Sequence, residues 1–127
     1  MPSINQNFEH WAGNARTLKF GPVKDQDNQL VNMFGCSATW AMAKKQTSPL
    51  TDVLVEKSTA VSTEMEIMQQ PTGTFYLLVY LTKDDTKDIK EASYYHEATI
   101  IDPSGKPDTV AIGKVTLHQT LISETIG

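Results

Sequence analysis

Apolar and polar residues alternate in short runs over much of this chain, and a period of two predicts strands rather than helices. The clearest run is 36–43. Cys36, Ala38, Trp40 and Met42 fall on one side of it, and Ser37, Thr39, Ala41 and Ala43 on the other. Trp40 is the expected centre of the core, because one indole can bury about 150–250 Å². A strand over 8–12 and another over 15–20 are joined at Gly13-Asn14, and in the second Leu18 and Phe20 face away from Thr17 and Lys19. Shorter strands follow at 52–57 and 64–68, the latter with Met65 and Ile67 inward and Glu64 and Glu66 in water. Turn residues punctuate these runs: Gly21-Pro22, a polar turn over 24–29, a polar loop over 44–49, and Pro71-Thr72-Gly73.

The stretch Phe75 to Leu81 breaks the alternation with seven consecutive apolar residues. Phe75, Leu77, Val79 and Leu81 can face the core, which leaves Tyr76, Leu78 and Tyr80 on the opposite side. A strand of this kind is either covered on both faces or meets another chain. Two coverings stay open from the sequence: a helical turn of the protein itself, or a second polypeptide. Tyr76, Leu78 and Tyr80 are therefore the candidate interface residues.

One helical turn is expected near residues 82–92, with Thr82 as its cap, Asp84 and Asp85 at its positive end, and Lys87 and Lys90 towards its negative end. A strand over 94–102 places Tyr94, His96, Ala98 and Ile100 on one face. Asp102-Pro103-Ser104-Gly105 is a strong hairpin signal. In the closing strand, about 109–119, the apolar phase slips from Val110 and Ile112 to Val115 and Leu117, which predicts a β-bulge beside Gly113. Together these runs predict an all-β sandwich or barrel. With 127 residues there is room for one domain, 1–127, with flexible segments at about 1–7 and 120–127.

Charge narrows the function. Lys and Arg number 11 against 15 Asp and Glu, a formal net charge of −4, and the basic residues are scattered, so no nucleic-acid partner is expected. The single cysteine, Cys36, excludes an internal disulfide and a cysteine zinc site. No run approaches the ~18 apolar residues of a membrane helix. Residues 1–6 lack the basic-then-apolar build of a signal peptide, so the expectation is a soluble chain made in a cytoplasm, with no membrane partner.

The search for chemistry returns no reactive centre. His10, His96 and His118 stand at no recurrent metal-ligand spacing. The acidic run 84–88 lacks the glycine and distal glutamate of a calcium loop and reads as a solvated, capped turn. Cys36 sits on an apolar face and reads as a small buried hydrophobe. Glu64 and Glu66 share one side of a strand, as a glycosidase pair could, but alternating exposed glutamates need no such role. No nucleophile elbow, phosphate loop or dinucleotide fingerprint is present. The expectation is a protein without catalytic residues, metal or cofactor.

A family pattern runs from about Gly13 to Leu117. Its parts are Thr17 to Phe20, the Asp-rich segment 25–28, Ala38-Thr39-Trp40-Ala41, Leu81-Thr82-Lys83-Asp84-Asp85-Thr86, Tyr94-Tyr95-His96-Glu97, Asp102-Pro103-Ser104-Gly105 and Gly113-Lys114-Val115. In this order they resemble the small immunoglobulin-like β-sandwich modules of tailed-bacteriophage virions, found in baseplate upper proteins, minor tail proteins and head or tail accessory proteins. The chain departs from that pattern with Asn28 in the first hairpin and Ala92-Ser93 before the paired tyrosines, where such modules carry Gly. The resemblance implies an immunoglobulin-like antiparallel sandwich and a structural role in the tail, baseplate or head–tail region. It implies other virion structural proteins as partners, in multiple symmetric copies, and the virion, assembled in a bacterial host, as location. A capsid decoration protein is the nearest alternative. A carbohydrate- or receptor-binding module is another, for which Trp11 and Tyr95 would be the stacking rings, although Trp11 is expected to pack inward.

Overall fold

The computed structural model describes residues 4–5, 7–24, 29, 32–44, 53–70 and 74–119. Two sheets face each other. In the larger, β1 (Ile4–Asn5) and β2 (Phe8–Trp11) lie along β9 (Pro107–His118), followed by β8 (Ala92–Ile101), β4 (Ser37–Ala43) and β5 (Val53–Ser58). In the smaller, β3 (Arg16–Phe20) and β6 (Met65–Gln69) flank β7 (Phe75–Leu81). The expected all-β sandwich is the observed architecture.

The core forms where the two inner faces meet, and alternation placed its centre there, with Val23 and Met33 added from outside the strands. Trp40 is 1% exposed, with Ala38 and Met42 beside it on β4 and Leu18, Phe20, Met65, Leu77 and Val79 opposite on the smaller sheet. Tyr94 closes one end by donating its hydroxyl to the Lys90 carbonyl at 2.5 Å. His96 is fully buried among rings: Phe20 stacks at 5.4 Å, Phe8 meets it edge-on at 5.0 Å, and the Trp40 indole N–H donates to its Nδ1 at 3.1 Å.

Four expectations need correction. The strands at 8–11 and 16–20 form no hairpin. They belong to different sheets, β2 pairing with β9 and β3 with β7. The chain crosses between sheets at Ala12–Ala15, where Gly13 adopts φ +86° and its N–H donates to Thr86 Oγ1 at 2.9 Å. Nor are all strands antiparallel, because β1 and β2 run parallel to β9. Ile4 and Asn5 are paired with Ala111 and Ile112, and the Lys114 N–H donates to Asn7 Oδ1 at 2.8 Å.

The helical turn is shorter than 82–92, with α1 covering only Lys83–Thr86. Asp85 accepts from the Thr82 N–H at 2.6 Å and fixes the start, while Ala92 and Ser93 already pair with β9. Finally, the ladder runs unbroken through Gly113 and Lys114, opposite His96 and Tyr95. The bulge lies at Val110 instead, where Ala98 faces Ala111 but Thr99 faces Thr109. Val110 and Ala111 are consecutive and both buried, so the phase slips there and Ile112 turns outward. The predicted turns and loop over 25–28, 45–49 and 71–73, and the tail 120–127, lie outside the described residues.

Candidate docking face

β7 has a clean in-and-out pattern. Phe75, Leu77, Val79 and Leu81 are buried, and Tyr76, Leu78 and Tyr80 are half-buried on the outer face of the smaller sheet. Register decides what surrounds them. Leu78 lies opposite Lys19 of β3 on one side and Glu66 of β6 on the other, so one row across the three strands reads cation, apolar, anion. The row above carries Thr17 and Tyr80, and the row below places Met68 opposite Tyr76.

The polar members of this face are already oriented. Lys19 Nζ sits 4.4 Å from the centre of the Tyr76 ring, a cation–π contact. The Tyr80 hydroxyl donates to Glu66 Oε1 at 2.5 Å, and that bond holds the phenol above its ordinary range. The Tyr76 ring comes close to the backbone just past β3, and residue 21 there is glycine. A Cβ there would stand 2.7 Å from Tyr76 Cδ2 and 3.0 Å from the Phe75 carbonyl oxygen, and φ is +141°. The result is a patch of three large side chains, Tyr76, Leu78 and Tyr80, with one charge on each flank. Among the described residues, α1 does not cover it: Thr86 is engaged with Gly13, and Asp85 with Lys57 at 2.8 Å.

The other candidates separate in space. His10 is buried on β2 and bonds the Asn14 carbonyl through Nε2 at 3.1 Å; burial and the nearby Arg16 hold it below its ordinary range, against the opposing pull of that bond. His96 is in the core. His118 is on the outer face of the larger sheet, where its Nε2–H donates to Glu9 Oε1 at 2.6 Å. No group of three His, Cys, Asp or Glu converges among the described residues. Cys36 is half-buried, and burial first, then Asp102, pushes its thiol up, away from the reactive thiolate. Glu64 and Glu66 diverge in use: Glu64 accepts from the Ser58 N–H at 3.2 Å, Glu66 from Tyr80. The groove of about 620 Å³ between β4–β5 and β6 is lined by Cys36, Ser37, Thr59, Ser62 and Ile67, with Glu66 the one acid among its described residues.

Trp11 does not pack inward. It is 50% exposed, because β2 is phased by His10, which takes the inner side, and its ring lies 4.6 Å from His118. Tyr95 is half-buried on the same outer face, near β9's Lys114 and four rungs from the Trp11–His118 pair. Lys19 and Glu66 are the members of the docking face that sequence reasoning passed over. Each was legible as an outward residue of its own strand, but only cross-strand register places them either side of Leu78. No helix among the described residues is long and apolar enough to cross a membrane. No protein-family model matches the chain, and no curated protein matches it.

Proposed function

We propose that this protein is a non-catalytic structural module of a tailed-bacteriophage virion, in the tail, baseplate or head–tail region, that works through protein–protein contacts. The observation carrying this reading is the outer face of β3–β7–β6, where three large side chains remain half-exposed between two charges. A sheet face of this composition gains by being covered, since burying apolar area is worth about 25 cal/mol per Å².

The strand arrangement supports the immunoglobulin-like part of the reading. The neighbours β9–β8–β4–β5 against β3–β7–β6 follow the variable-type order, with a buried Trp on the third strand of that frame. Tyr94, bonded back to Lys90, has the geometry of a tyrosine corner. Two residues on, where antibody domains place half of their inter-sheet disulfide, stands His96, and Phe20 stacks on it from the other sheet. An aromatic pair thus takes the place of a covalent link, as suits a chain with one cysteine.

Mass spectrometry of purified virions tests the proposal: many copies per particle are expected, and absence from the particle overturns it. Hydrogen exchange adds the surface. The β7 amides flanking Tyr76, Leu78 and Tyr80 should gain protection on assembly, and unchanged exchange would remove this face from the contact.

A further inference from the structure

The row Lys19–Leu78–Glu66 has a property that follows from its order. A positive charge on one edge, an apolar centre and a negative charge on the other edge are reversed by a half-turn about the strand direction. Resting on the docking-face reading, we propose that the partner on this face is a second copy of the same chain, related by a two-fold axis that runs parallel to β7 and passes beside Leu78.

That operation lays Lys19 of each copy against Glu66 of the other, twice, with Leu78 facing Leu78 and each tyrosine facing its own equivalent. It also keeps the strands of the two packed sheets aligned, as face-to-face sheets prefer. A two-fold across the strands would set Lys19 against Lys19 and Glu66 against Glu66, so the charges select the axis. At rest Lys19 lies over Tyr76 and Glu66 against the Tyr80 hydroxyl, on opposite sides of the Leu78 row, so the cross-pairs form when both side chains swing back to the row that their backbones share. The patch is small. Three strands by five residues span about 14 Å by 17 Å, well below a standard interface, so the pair is weak in solution and is reinforced where many copies are arrayed.

Sedimentation equilibrium of the full chain, run up to about 1 mM, reads the association directly. The wild type should dimerise reversibly. Lys19→Glu and Glu66→Lys should each weaken the dimer by about tenfold or more, and the double variant should regain it. Mixing the two single variants should produce a heterodimer tighter than either homodimer, because both cross-pairs are then attractive. As a check that needs no tight binding, Leu78→Cys in a Cys36→Ser background should cross-link to itself through a short bis-maleimide several-fold faster than Thr39→Cys on the outer face of the other sheet. A wild type monomeric throughout, with equal cross-linking at 78 and 39, overturns the two-fold. If Leu78→Arg is then still excluded from particles, the face docks on a different chain. If Leu78→Arg enters particles like the wild type, the docking-face reading itself has failed.

Discussion

The indole N–H of Trp40 donates to Nδ1 of His96 at 3.1 Å in the middle of the core. Both residues are on the inner face of the larger sheet, on adjacent strands, and Phe20 of the smaller sheet lies on the imidazole. Accepting at Nδ1 requires a lone pair there, so this bond fixes His96 as the tautomer protonated on Nε2.

Removing the acceptor leaves a buried donor without a partner. His96→Leu should cost about 1–3 kcal/mol for the indole alone, plus the loss of ring packing. The double variant Trp40→Phe/His96→Leu should cost less than the sum of its single changes. Urea unfolding of the four proteins measures this, and strict additivity would deny that the bond matters.

Lys57 is an inward-pointing charge on the edge strand β5, a placement that discourages edge-to-edge pairing, and it is buried against Asp85 at 2.8 Å. Asp85 also holds the start of α1. Asp85→Ala should therefore destabilise by about 3–5 kcal/mol, since it strands an ammonium in the interior and frees the Thr82 N–H. Lys57→Met should cost clearly less. The reverse order in denaturant midpoints would contradict this account.

His10 gives the fold a pH dependence with a definite sign. Burial first, then Arg16, lowers its folded pKa from 6.5, so the unfolded chain binds the proton more readily. Stability is then unaffected by this group at high pH. It falls as pH drops through the unfolded value and levels off below the folded one. The urea midpoint should decline as the pH falls through about 6.5, and His10→Gln should remove part of that decline. An identical slope in the variant would assign the effect elsewhere.

Gly21 supports the docking face from beneath. Gly21→Ala brings a methyl to 2.7 Å from the Tyr76 ring at a backbone angle that L-residues avoid, so a loss of about 1–3 kcal/mol is expected. The Lys19–Tyr76 contact should be lost with it. A near-ultraviolet circular dichroism spectrum unchanged from wild type would show that the ring has not moved.

Much of the fold was legible because each strand was written with its own period. Trp40 and the inward sides of the strands at 36–43, 75–81 and 94–101 needed only alternation. The errors arose where the answer depends on distant residues. Gly13-Asn14 is a good local turn, and nothing near it states that β2 pairs with a strand more than a hundred residues away. The bulge was expected three residues late, beside Gly113 rather than at Val110, because Ile112 is large and Ala111 small. Tyr76, Leu78 and Tyr80 announced themselves by breaking alternation, whereas Lys19 and Glu66 obeyed it and so looked ordinary.

The parallel pairing of β1 and β2 with β9 has a consequence for synthesis. Ile4 waits for Ala111 and Trp11 for His118, so β1 and β2 can be seated only after β9 has left the ribosome. Until then the growing chain holds a sandwich with one margin unfinished. A nascent chain arrested before residue 111 should leave β1 and β2 open to proteases.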